Sequence, residues 1–394
     1  MSNPPADARR LHRGRFVAGC ALGFAVSWNI SNTGAVAPLL AAHYHASLGP
    51  VGGLAATPFL GEVVIMIPGG RAIDRFGARV TGSLSLALVV AGSALLLAPG
   101  GIALALAARV IVGLGVGVGF VTGAVLVQSA AADHSTLAQG LYGGLSLSGG
   151  GLALAIVPQL TGWLDWRAPY VSAIAVALIG LAGPALAGAP ARHPAAAGVS
   201  LRALLADPRL TVLGIVSASS FGLSVIIGNW VVALVEHTAG ASAGAAGAIA
   251  ALTLLVGIVG RPLGGALAHG HLRRTRAILV CAALLGALGA ALLAVTSATV
   301  PAIVGAGAIG LAGGLPFGTA MSGAARTHPE APGVAVSVMN LYPVVTIVAG
   351  APLVGLAFAL PGSGRAGFVI VAALWLASAV AAAPAAALAS TRPG

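Results

Sequence analysis

The chain has 394 residues, of which 58% are hydrophobic and only 7% charged, with 19 Arg, no Lys and 8 acidic residues. A soluble globular domain carries about 25% charged residues, so the composition excludes a water-soluble enzyme and describes an integral membrane protein. A net charge of +11 would suggest nucleic acid in a soluble chain. Here the arginines follow the membrane instead, and no nucleic-acid partner is expected.

Apolar runs predict twelve helices, at roughly 16–41, 50–70, 78–98, 101–127, 137–160, 168–187, 210–235, 244–268, 276–296, 299–324, 333–359 and 365–389. Each crossing needs about 20 residues, which leaves only short connections. The runs are continuous rather than alternating at period two, which argues against a transmembrane barrel. The fold class expected is all-α, with twelve spans in two pseudo-symmetric six-helix bundles. The domains expected are 1–187, a cytoplasmic central loop 188–209, and 210–394.

Fifteen of the 19 arginines fall on segments that are inside if the N-terminus is cytoplasmic. Arg167 and Arg365 fall outside, and Arg109 and Arg261 fall within spans. The positive-inside rule then places both termini in the cytoplasm of a multi-pass inner-membrane protein. The basic start before Phe16 is expected to lead a retained helix rather than a cleaved signal, because the apolar run is too long. Cys20 and Cys281 both sit in apolar runs, so neither a disulfide framework nor a metal site is expected. No cofactor is expected.

In the first span, Trp28, Asn29 and Asn32 form a polar run, with the two amides three residues apart on one face. They can line a wet cavity or hydrogen-bond between helices. In the second, Glu62 is the only acid deep within a span, near the midplane. An acid there can take up and release a proton as a cavity opens to either side, or it can serve as the buried partner of Arg109. In the fourth span Arg109 lies about 12 Å past the start, at a depth where charge is costly and usually functional; it can also be a structural arginine that caps nearby carbonyls. Arg261-Pro262 lies in the eighth span, where a guanidinium can hold a carboxylate or oxyanion through two parallel hydrogen bonds, or can snorkel to the nearby cytoplasmic end.

The two halves carry matching small residues at an offset of 195. Gly69 and Gly70 match Gly264 and Gly265, and Gly115, Gly119 and Gly123 match Gly310, Gly314 and Gly318. Internal repeats of this kind build many secondary transporters.

After the second span the chain reads Gly70-Arg71-Ala72-Ile73-Asp74-Arg75-Phe76-Gly77-Ala78-Arg79. This resembles the loop signature of the major facilitator superfamily (MFS), G-x-x-x-D-R-x-G-x-R. The resemblance implies a cytoplasmic gate built on Gly70, Asp74, Arg75, Gly77 and Arg79. The second copy is degraded, with His269 in place of the acid. Arg109 followed by spaced glycines resembles a fourth-helix pattern of proton-coupled members, which implies proton coupling through Glu62 and Arg109. Arg261-Pro262 resembles the substrate arginine of nitrate and monocarboxylate branches, and a glycine cluster on helix five resembles cyanate transporters. The helix-two arginine of nitrate porters is replaced by Met66. By location in cavity-lining helices of the resembled fold, Tyr142, Asn229, Asn340 and Tyr342 join Arg261, Trp28, Asn29 and Asn32 as substrate-contact candidates.

The expected function is an alternating-access secondary transporter, not an enzyme. It moves a small organic or inorganic anion with protons and works as a monomer in membrane lipid. A proton-antiporting drug or metabolite exporter is the alternative.

Overall fold

The computed structural model describes residues 12–131, 134–186, 200–268, 272–362 and 364–390. All regular structure among them is helical. The main helices are α1 (Arg13–Ser31), α2 (Leu48–Phe76), α3 (Ala78–Leu95), α4 (Ile102–Ala130), α5 (Ser135–Leu164) and α6 (Ala168–Gly180). The second set is α7 (Pro208–Ala239), α8 (Ala243–Ala268), α9 (Leu272–Val295), α10 (Thr299–Thr327), α11 (Pro332–Leu356) and α12 (Arg365–Leu388). Ten helices among the described residues are long and apolar enough to cross a membrane, and the twelve main helices expected can be traced along the chain, with shorter helical segments between them. His269 and most of the 188–209 loop lie outside the described residues.

Three departures from straight helices matter for the site. α1 stops at Ser31 and resumes as a short helix, Ala37–His43, with Pro38 in its first turn. α7 widens into a π-helical turn at Ala218–Gly222. α10 breaks at Leu315–Pro316 and restarts at Phe317. In a lipid environment irregular backbone is tolerated where protein surrounds it.

The chain divides into two compact units. The first holds Met1–Ser135, Leu145–Ser200 and His328–Ser337; the second holds Thr136–Gly144, Leu201–Thr327 and Val338–Gly394. The first unit has a core of Leu22, Val26, Leu86, Val89, Val112 and Val116, from α1, α3 and α4. The second is centred on Ile227, Val231, Leu293, Ile309, Phe368 and Trp375, from α7, α9, α10 and α12.

Lipid gives apolar side chains little reason to choose each other, so backbone approach at small residues sets the packing. A methyl group on Gly113 would lie 2.6 Å from Pro58 Cα, and one on Gly117 would lie 2.9 Å from an Ile65 methyl. α4 therefore lies directly against α2. In the second unit Gly310 meets Thr253 and Gly314 meets Gly260 in the same manner.

These contacts correct the repeat assignment. The 195 offset holds for α2 and α8, where Gly69 against Val118 corresponds to Gly264 against Leu315. On α4 and α10 the contact-matched pairs are Gly113 with Gly310 and Gly117 with Gly314, an offset of 197. Gly115 and Gly119 face Ser85 and Val89 of α3 instead. Glycines every two residues made two alignments look alike.

Candidate functional site

Arg109 is fully buried, and its setting follows from what its neighbours lack. Pro58 has no backbone N–H, so the carbonyl four residues earlier, that of Leu54, loses its helical donor. Asn29 lies in the last turn of α1, where carbonyls also lack helical donors. Arg109 supplies both, with Nε donating to Leu54 O and Nη2 to Asn29 O, each at 2.6 Å. The negative end of the α1 dipole further favours a cation there. Nη1 has no hydrogen-bond partner.

Glu62 does not pair with Arg109. Gly117 faces Glu62 across the α2–α4 contact, whereas Arg109 stands eight residues away at the level of Leu54, about 12 Å along the helix. Glu62 is 5% exposed, and among the described residues its carboxyl makes no hydrogen bond or ion pair.

The polar run of α1 turns toward α6. Trp28 Nε1 donates to Ser172 Oγ at 3.1 Å, and Asn32 Nδ2 donates to Pro169 O at 2.9 Å. Asn29 Nδ2 donates to Val26 O of its own helix. All three are buried. Of the two roles open to these residues, the geometry is that of helix-to-helix hydrogen bonding.

In the second unit Arg261 does not reach for the headgroups: it is 4% exposed. Its Nη1 donates to Gly143 O at 2.9 Å, and its guanidinium carbon lies 4.2 Å from the Phe317 ring centre and 5.5 Å from that of Phe221. Nε has no partner, and no carboxylate pairs with Arg261 among the described residues. Tyr142, one residue before Gly143, is fully buried.

The remaining candidates scatter. Asn229 is exposed on α7, whereas its neighbour Trp230 donates to Ala351 O at 2.7 Å. Tyr342 on α11 shares a 2.9 Å hydrogen bond with Thr211 of α7, its ring lying against Gly214. Asn340 is buried.

The sequence signature after the second span is mostly helix. Residues 70–76 are the last two turns of α2, and Gly77, at φ +80°, is the turn itself. That left-handed φ suits glycine. Asp74 is 2% exposed and accepts from Gly333 N at 2.8 Å and Val334 N at 2.9 Å, at the start of α11. A carboxylate at a helix N-terminus meets free N–H groups and the positive dipole end together. A methyl on Gly70 would come 2.6 Å from Ser337 Oγ and 2.8 Å from Gly333 O, so the first glycine of the signature lets α11 approach. Arg71, Arg75 and Arg79 are exposed and form no ion pairs among the described residues.

The profile of the Major Facilitator Superfamily matches residues 19–351. The chain belongs to this superfamily. It is a multi-pass membrane transporter with the MFS fold, not an enzyme. Among solved structures it is similar to the E. coli fucose:proton symporter FucP in the outward conformation, with TM-score 0.74 and 16% identity over 95% of this chain and 99% of that one. It is also similar to the proton:xylose symporter XylE bound to 6-bromo-6-deoxy-D-glucose, at TM-score 0.76 and 13% identity over 94% of each chain. The human organic anion transporter MFSD10 (TETRAN) matches at TM-score 0.71 and 18% identity over 96% of this chain and all of that one. No curated protein matches by sequence.

In this MFS chain the parts played by Pro58, Gly143, Phe221, Phe317 and Gly333 were not expected from the sequence. A proline inside an apolar run announces a freed carbonyl, so Pro58 was open to discovery. Phe317, directly after Pro316, carried a similar hint.

Proposed function

We propose that this transporter carries a small anion together with protons by alternating access between bundles 1–187 and 210–394, joined by 188–209. It acts as a monomer in the inner membrane with both termini cytoplasmic. The observation that carries the proposal is Arg261: a buried guanidinium whose partners are a carbonyl and two phenyl rings. A cation held in a low-dielectric interior without a counter-ion is costly, and a bound anion supplies the missing charge. Its unused Nε edge suits a carboxylate or oxyanion.

Glu62 is the proton site in this proposal, a buried acid with no cation beside it. Arg109 acts at a distance, by holding the broken end of α1 against α2. Asp74 with Gly70, Arg75, Gly77 and Arg79 forms the cytoplasmic gate, in which the carboxylate holds the first turn of α11. Similarity to two proton symporters and to an organic anion transporter supports coupling and cargo class.

The test is uptake into proteoliposomes of radiolabelled anionic, neutral and cationic solutes under an imposed pH gradient. Anion accumulation, lost in Arg261→Ala, is the expected result. Movement of neutral or cationic solutes alone, or anion uptake unchanged in Arg261→Ala, overturns the proposal. Proton-driven expulsion of bulky solutes would instead support the drug or metabolite exporter.

A further inference from the structure

The two irregular turns of the second unit each deliver one phenyl ring to the same guanidinium. Phe221 lies within the π-helical turn of α7, and Phe317 is the first residue after the break of α10. The π turn rotates everything around it relative to a regular helix. Pro316 cannot donate to its own helix, so Leu315 N closes one segment on Leu311 O and Ala320 N opens the next on Pro316 O. Two helices thus depart from regularity where each can present an aromatic side chain to Arg261.

The third contributor is an absence. A methyl on Gly143 would sit 2.9 Å from Arg261 Cδ and inside the edge of the Phe317 ring. Glycine here gives Arg261 a carbonyl at 2.9 Å and leaves room for the ring over it. α5, α7 and α10 therefore meet at one cation.

We propose that Phe221 and Phe317 are positioning residues that fix the Arg261 guanidinium and keep its Nε edge dry and free for the cargo. This rests on Arg261 being the anion contact. Both ring centres lie within the roughly 6 Å over which a ring attracts a cation, so the rings hold the charge while no carboxylate competes for its hydrogen-bonding edge. Any change in the bend of α7 or α10 changes the surroundings of Arg261 directly, which links the shape of these helices to hold on the cargo.

The experiment uses the purified full chain and phenylglyoxal, a neutral reagent that modifies accessible guanidinium groups, with the modified Arg261 peptide quantified by mass spectrometry. Exposed Arg75 serves as the internal reference. Phe317→Leu and Phe221→Leu, on separate helices, are each expected to raise the Arg261 rate severalfold, and Phe317→Tyr, which keeps the ring, to retain the slow wild-type rate. Unchanged rates in both leucine variants, or equal acceleration by Phe317→Tyr and Phe317→Leu, overturn the inference. This outcome is separate from the cargo assay. If Arg261→Ala abolishes anion uptake while the leucine variants react as wild type, the anion site stands and the positioning role falls. If Arg261→Ala leaves uptake intact, the anion site falls whatever the rates show.

Discussion

Removing the Asp74 carboxylate tests the best-defined polar contact of the proposed gate. Its two oxygens accept from Gly333 N and Val334 N at 2.8 and 2.9 Å while the residue is 2% exposed. A hydrogen bond to a charged group contributes about 1.5–3 kcal/mol, so two amount to about 3–6 kcal/mol. The first turn of α11 can recover part of this from water, leaving about 2–3 kcal/mol of local stability, or about 30- to 150-fold in opening. Hydrogen exchange with residue-level fragmentation reads this directly. In Asp74→Ala the Gly333 and Val334 amides should exchange faster by that factor. The Ala335 amide, which donates to Ala331 O, should change far less. Asp74→Asn keeps one acceptor and should fall between. If both amides keep their protection in Asp74→Ala, the carboxylate does not hold the turn, and its role in the gate is refuted.

Glu62→Gln should leave thermal stability within about 1 kcal/mol, because no ion pair is lost. It should abolish proton-driven accumulation but spare exchange at equal pH; loss of both would refute a proton role. Gly70→Ala should destabilise by about 1–3 kcal/mol through overpacking against Gly333 and Ser337, measured as a fall in melting temperature, and a neutral result would refute the close approach. His43, outside the spans, stacks on Trp166 with 3.6 Å between ring centres and an 11° tilt. Burial first, then the Arg167 charge and that of His45, push its pKa below the ordinary value, with Asp165 opposing. The folded stack thus favours neutral His43: its contribution is complete above about pH 6.5 and fades as pH falls through the lowered pKa. The fluorescence difference between wild type and Trp166→Phe should show a transition below pH 6.5, and a midpoint at or above that value refutes the stack's preference.

The helices were legible because lipid imposes length and composition at once, and several predicted ends, such as Ala78, Thr299 and Arg365, coincide with the observed ones. The break in α1 was not, since the polar residues that mark it, Asn32 and Thr33, also suit a cavity wall. Arg109, Arg261 and Glu62 were identifiable as buried charges because so few exist. Which groups partner the two arginines was hidden, because they are backbone carbonyls and ring faces, and any residue type can offer a carbonyl. For Trp28 and Asn32 two roles stayed open for a related reason: composition shows that a polar group is buried, whereas only packing shows which helix it faces.

The proline in α2 has a consequence for how this chain can vary. Pro58 strips the Leu54 carbonyl of its donor, and Arg109 covers it. The two positions are one inheritance: losing the arginine alone strands an acceptor in oil, and restoring an amide at 58 alone evicts the guanidinium from half its lodging. Changed together they should cost less than the sum of the separate changes, the signature of coupled sites. A transporter descended from this one could shed its buried cation cheaply only by straightening α2 in the same stroke.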